Sequence, residues 1–232
     1  SLGDHIDLLT GPAFKSKDFT EEGVRLARGD NVKEGRFHWD SKSRYWPAIT
    51  AELQKYALCR GDILIGMDGS KVGKNWVRVG EIDLPCLLVQ RVARLRPNGS
   101  VGTGFLEVLI GGDVFKRYVN NVKTGTSIPH ISGGQIKALP LMAPGDDGRI
   151  FRAFEQQIEP SLAKRDLFNS NSMVLRKLRD TLLPKLLSGE LRIPDAEKLV
   201  AESVRAPRKN SPKRNSKKPL SACWAIKATR SP

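Results

Sequence analysis

Lys71 and Lys74 stand three residues apart in Asp68-Gly-Ser-Lys-Val-Gly-Lys74, just after the turn dipeptide Asp68-Gly69. Two ammonium groups at or near a hairpin tip suit contact with a phosphate backbone, although a solvated turn explains them equally well. A second loop, Gly125-Thr-Ser-Ile-Pro-His-Ile131, sets Thr126, Ser127 and His130 between a flexible glycine and the rigid Pro129. Short donors and acceptors on a stiff loop suit close approach to phosphates or base edges. The plainer alternative is a capped turn with His130 bonded to a backbone carbonyl. Arg25, Arg28, Asp30 and Asn31 close an early apolar stretch. Arg reads guanine edges, Asn reads adenine and Asp accepts from cytosine, but ordinary strand-end polarity also fits. Lys42 and Arg44 beside Tyr45 and Trp46 mix cations with aromatics, as a nucleic-acid patch does; Trp46 before Pro47 also suits a core.

Catalytic patterns fail where they are tried. Gly66 to Lys74 resembles a phosphate-binding Walker loop, yet the position six before Lys74 is Asp68 rather than Gly, and Asn75 replaces the magnesium-binding hydroxyl. No Asn-Pro-Pro-aromatic tetrapeptide signals an amino-methyltransferase. Asp68-Gly-Ser-Lys71 lacks the spacing of a nuclease cluster. His5, His38 and His130 are scattered, and no metal site is expected. A Ser–His–acid triad assembled only in space stays open, without a nucleophile elbow to support it.

The elements that must position these residues follow from periodicity. Residues 1–145 read as strand-rich mixed structure. Val24-Arg-Leu-Ala alternates as a half-buried strand, and Asp62-Ile-Leu-Ile-Gly-Met is a short apolar run stopped by Asp68-Gly69. Leu87 to Arg96 alternates again and stops at Pro97-Asn98-Gly99; Phe105 to Val119 reads as helix interrupted at Gly111-Gly112. Leu139-Pro140 to Pro144 is an extended exit. From Arg149 to Leu191 apolar residues recur in steps of three and four, with kinks or breaks expected at Pro160 and Pro184 and a stop at Gly189 and Pro194. A helix of about 35 residues spans roughly 50 Å, more than packing on a small domain needs. Leu175, Leu178, Leu182 and Leu186 therefore form an expected stripe for a partner helix, the alternative being a helix folded back on its own domain. The expected fold class is α+β: a strand-rich domain over 1–145, a long coiled-coil-type helix over 146–195, and a disordered basic tail over 196–232.

The net charge of +14 is unevenly placed. Nine basic residues and no acidic ones lie in 203–232, leaving +5 for residues 1–202, so charge by itself supports only nonspecific attraction to polyanions. No apolar run suits a membrane span and no signal peptide is evident, while the absent initiator Met suggests a trimmed or partial chain. Cys59, Cys86 and Cys223 read as reduced thiols of a cytoplasmic protein.

Five segments in fixed order resemble a known family: Leu2-Gly-Asp, Gly61-Asp-Ile-Leu-Ile-Gly-Met-Asp-Gly69, Gln90-Arg-Val-Ala-Arg-Leu-Arg-Pro97, Gly125-Thr-Ser-Ile-Pro-His-Ile131 and Leu178-Arg-Asp-Thr-Leu-Leu-Pro-Lys-Leu-Leu-Ser-Gly-Glu-Leu191. Together they resemble the specificity subunit of Type I restriction–modification systems over roughly residues 1–195. The match corresponds to one target recognition domain and one helical spacer, similar either to half of a full subunit or to a half-length subunit that dimerises. The resemblance implies a DNA reader without catalysis, the target recognition domain reading one half of a bipartite site in double-stranded DNA. It further implies that the spacer docks the methyltransferase subunits and packs against a second copy or second half of the specificity subunit, with a restriction/translocase subunit completing the complex. No cofactor is expected on this chain; S-adenosylmethionine and ATP with magnesium belong to the partners. Arg28, Asn31, Lys42, Lys71, Lys74, Thr126, Ser127 and His130 are then the expected DNA contacts. Two alternatives stay open: a recognition fragment of a fused methyltransferase–nuclease, and a helical assembly module with nonspecific nucleic-acid binding.

Overall fold

The computed structural model describes residues 1–125, 127–142, 148–191 and 197–198. The strands among these are β1 (Ile6–Thr10), β2 (Val24–Ala27), β3 (Val32–Lys33), β4 (Arg36–Phe37), β5 (Tyr45–Trp46), β6 (Ile63–Gly66), β7 (Trp76–Arg78), β8 (Cys86–Leu88) and β9 (Val92–Pro97). The helices are α1 (Thr103–Gly111), α2 (Asp113–Val122), α3 (Gly133–Lys137) and α4 (Arg149–Leu187). An antiparallel sheet runs in the order β1-β9-β6-β7. A second sheet, β5-β2-β8, is mixed, with β2 parallel to β8. The β3–β4 hairpin stands apart as a third small sheet.

β6 is buried along its whole length because both faces of the sheet are covered. Ile63 and Ile65 join Leu106, Ile110, Phe115 and Val119 of α1 and α2 in one core, while Leu64 joins Val77, Cys86 and Val92 in another. The segment Leu87–Arg96 departs from the single strand its alternation suggests. It breaks at Val89–Arg91 into β8, which joins one sheet, and β9, which joins the other. Glycine-free turns of this kind are invisible to a pattern of Gly and Pro punctuation. Gly11 lies where a Cβ would meet the Val89 carbonyl carbon at 2.4 Å. Gly11→Ala should therefore destabilise the fold by about 1–3 kcal/mol through overpacking, read as a lowered denaturation midpoint.

The chain divides into two compact units, Ser1–Asp166 and the remainder from Leu167. The first takes in the opening turns of α4. Phe151 stacks edge-on against Phe105 at 4.7 Å, and the Glu155 carboxylate accepts from the backbone N–H groups of Gly104 and Phe105 at the start of α1, at 2.7 and 3.2 Å. A buried charge network ties down the next turns. Arg78 donates to both carboxylate oxygens of Asp166 (2.9 and 3.0 Å), Arg60 reaches the same carboxylate at 3.3 Å, and Arg165 pairs with Glu107.

Of the kinks or breaks expected at Pro160 and Pro184, breaks do not occur: one helix is continuous from Arg149 to Leu187. A proline removes one N–H from a ladder of 39 residues, and the remaining bonds keep the helix in register. The expected stop does occur, with Gly189 in the left-handed conformation (φ 74°) and Leu191 N–H bonded to the Lys185 carbonyl at 3.0 Å. Cys86 is a buried free thiol, its pKa raised by burial, and Cys223 lies outside the described residues. The expected basic tail lies outside the described residues, save Glu197 and Lys198.

Candidate nucleic-acid interface

The end of β6 and the starts of β7 and β9 lie together, since Gly66 pairs with Val92 and Ile65 with Trp76. Segment 67–75, turn 89–91 and loop 124–131 are bonded to one another at this end. Met67 N–H donates to the Arg91 carbonyl (2.9 Å), Ile131 N–H to Met67 (2.9 Å) and Gly69 N–H to Pro129 (3.0 Å). Thr124 and His130 exchange both backbone bonds, at 2.9 and 2.7 Å. Beyond the loop, Ser132 caps α3 reciprocally with Gln135, and Ile131 and Ile136 are buried, so the loop is anchored on both sides.

Asp68 sits at the centre of this arrangement. Its carboxylate accepts from the Arg91 guanidinium on one oxygen and from His130 Nδ1 on the other. Because an ionised carboxylate can only accept, Nδ1 carries the hydrogen. Burial pushes the Asp68 carboxyl upward, but the bonds from Arg91 and His130 outweigh it and hold its pKa below the ordinary value. Lys71 and Lys74 are exposed on the adjacent turn, where Gly69 and Gly73 supply positive φ. The β3–β4 hairpin reaches the same region. Gly35 N–H bonds the Trp76 carbonyl at 2.8 Å, and Glu34 pairs with Lys116 of α2 at 2.9 Å. The Lys116 hydrogen bond, then its charge, lowers the Glu34 pKa, with smaller contributions from Lys74 and Lys71. Lys33 and Arg36 face each other across this hairpin.

The structure thus brings Lys71, Lys74, Ser127 and His130 together. Arg28, Asn31 and Lys42 belong to a neighbouring pair of loops. Ala27 pairs with Leu88 in parallel register, so Arg28 leaves its sheet at the same end as Val89. Arg28 is part-exposed and 3.6 Å from Asp30, and Lys42 is exposed on the loop that follows His38. Asn31 lies deeper than these two. It is only 3% exposed, and its amide is engaged with the His38 carbonyl (3.1 Å), the Ser43 hydroxyl (3.5 Å) and the Arg28 N–H (3.3 Å). It braces the two loops. Thr126 lies outside the described residues. Arg91 and the Lys33–Arg36 pair were absent from the expected contacts; the adjacent polar residues Gln90-Arg91 within an apolar run were the signal available.

No group of three or more His, Cys, Asp or Glu among the described residues is placed to hold a metal ion, and no described helix is long and apolar enough to cross a membrane. Within the second unit, Leu175 is exposed and Leu178, Leu182 and Leu186 are part-buried. Phe168, Leu175 and Leu182 recur every seven residues with Leu178 between them, the spacing of a coiled-coil seam.

No family model matches the chain. Among curated proteins it is 31% identical over 165 residues to the Type I restriction enzyme EcoAI specificity subunit of Escherichia coli, covering 68% of this chain and 28% of that protein. It is 23% identical over 196 residues to the Type I restriction enzyme MjaVIII specificity subunit of Methanocaldococcus jannaschii, covering 83% and 45%. Among solved structures, the Type I restriction–modification S subunit from M. genitalium superposes with a TM-score of 0.55 at 16% identity, over 89% of this chain and 49% of that one. The chain therefore spans less than half the length of the relatives it matches.

Proposed function

The chain belongs to the specificity subunits of Type I restriction enzymes, and from that membership we propose that it reads one half of a bipartite site in double-stranded DNA and docks the methyltransferase subunits of the complex. In this reading the chain catalyses nothing itself and carries no cofactor; S-adenosylmethionine is held by the methyltransferase subunits, and ATP with magnesium by a restriction/translocase subunit. It acts in the cytoplasm. The stripe Leu175, Leu178, Leu182 and Leu186 pairs with a second copy, or with the other half, of a specificity subunit and meets the methyltransferase.

One observation carries the DNA-reading part: the loops bearing Lys71, Lys74, Ser127 and His130 are bonded into a single platform at one end of a buried sheet. Rigid scaffolds that gather cations and short polar side chains on adjoining loops suit groove and phosphate contact. Arg28 and Lys42 extend the platform through the parallel β2–β8 register. The test uses the chain assembled with its methyltransferase subunit and duplexes that carry or lack a cognate site. Discrimination between the two supports the reading; equal affinity for every sequence removes it. Replacing Lys71 and Lys74 with Ala should weaken binding on all duplexes and flatten the salt dependence by about one unit for each phosphate that is no longer neutralised.

A further inference from the structure

Arg91 is the one non-glycine residue among those described that adopts a left-handed backbone, with φ 64°. That conformation strains a side-chain-bearing residue, and glycine or asparagine would occupy it more comfortably. The turn is nonetheless firmly held: Val92 N–H returns to the Val89 carbonyl at 3.3 Å, Met67 N–H takes the Arg91 carbonyl at 2.9 Å, and Gln90 N–H takes the Pro12 carbonyl at 2.9 Å. Nothing in the packing calls for an arginine there, since its side chain is 70% exposed. Its side chain is not loose either. The guanidinium is fixed by Asp68, itself mostly buried and held on its other oxygen by His130. A free arginine side chain loses much rotamer freedom when it is immobilised, so a pre-set guanidinium meets its target without that loss on contact.

What such a group recognises follows from the carboxylate beside it. A phosphate contact is served best by an adaptable cation that no carboxylate holds in a salt bridge, which describes Lys71 and Lys74: Glu34 lies near enough to feel their charge, but neither makes a salt bridge among the described residues. Asp68 would repel a phosphate drawn to Arg91. A base edge carries no net charge and demands a fixed direction of donation, which the carboxylate supplies. Guanine presents two acceptors, O6 and N7, side by side in the major groove, matching two N–H groups of one guanidinium. Arg91 has five N–H donors and Asp68 engages one nitrogen, so a donor pair remains. Resting on the DNA-reading function above, we propose that Arg91 is a specificity-determining residue that reads a guanine of the target half-site, with Asp68 as its positioning residue.

The experiment uses the chain assembled with its methyltransferase subunit and a pool of duplexes randomised over the half-site, with the methylated molecules sequenced. Wild type, Arg91→Ala, Arg91→Gly and Asp68→Asn are compared. Arg91→Gly guards against a folding artefact, because glycine relieves the left-handed strain and keeps the turn. Both Arg91 variants should lose a guanine preference of about 10- to 100-fold at one position while the other positions keep theirs and the salt slope stays unchanged. Asp68→Asn should blunt the same position only, with affinity for nonspecific duplex equal to or above wild type because a negative charge has gone. Two results overturn the proposal: base preferences untouched in the Arg91 variants, or a uniform weakening on all sequences with a salt slope lowered by about one, the mark of a phosphate contact. A wild-type pool with no base preference at any position removes the DNA-reading function itself, and Arg91's role with it.

Discussion

Arg78→Ala should lower the stability of the Ser1–Asp166 unit by about 3–5 kcal/mol, the cost of removing one partner from a buried ion pair. Its side chain is only 5% exposed and spans two carboxylates, with Nη1 bonded to both oxygens of Asp166 and Nε 3.7 Å from Glu107. Glu107 is equally buried and keeps Arg165, and Asp166 keeps Arg60, but both of those guanidiniums reach in from the exposed side and neither replaces the buried charge that Arg78 places between the two carboxylates. Denaturant unfolding of the purified chain followed by tryptophan fluorescence measures the loss, since Trp76 lies two residues from Arg78 on β7. Hydrogen exchange locates it: amides of 158–166 should lose protection before those of β6 and β9, because Asp166 and Arg165 hold those turns through this network. Arg78→Met separates charge from packing. Equal stability of wild type and both variants would show that the network does not hold the opening turns of α4.

The residues that made this network hard to foresee also show what a sequence can disclose. Val24–Ala27, the glycine break between α1 and α2, and the three-and-four spacing through Phe151, Phe154, Ile158 and Leu162 were legible, because each rests on local periodicity or on a backbone need for glycine. Arg78, Glu107 and Asp166 sit far apart in the chain, and pairing across 88 and 58 residues leaves no local trace. The same holds at the platform. Lys71, Lys74 and His130 announce themselves on loops marked by Gly and Pro, whereas Arg91 lies inside what reads as one strand. Asn31 is ambiguous by type: it suits adenine, but an amide with two donors and an acceptor serves equally to brace two loops, and only the structure shows that it is buried and does so. Pro160 and Pro184 show that propensity punctuates a helix without ending it when the rest of the ladder is long.

Leu178→Asp combined with Leu182→Asp should abolish assembly with the methyltransferase subunit while leaving the Ser1–Asp166 unit folded. The two leucines are one turn apart on a face that also carries Leu175 and Leu186, and both are only part-buried. A coiled-coil seam places such residues in holes closed by four neighbours of the partner helix, where a carboxylate would be desolvated and unpaired. Two of them at adjacent layers cost several kcal/mol on each helix, enough to shift an assembly held at micromolar affinity beyond detection. Light scattering of the chain mixed with the methyltransferase subunit reads the mass of the complex. An unchanged mass would show that this face is not the docking seam. The control is Lys177→Asp with Asp180→Lys, which alters charge on the opposite, exposed positions of the same turns. That pair should leave assembly intact, because exposed charges on a single helix contribute only tenths of a kcal/mol. A loss in the control as large as in the leucine variant would point to helix propensity or the local order of charges as the cause and count against the apolar stripe.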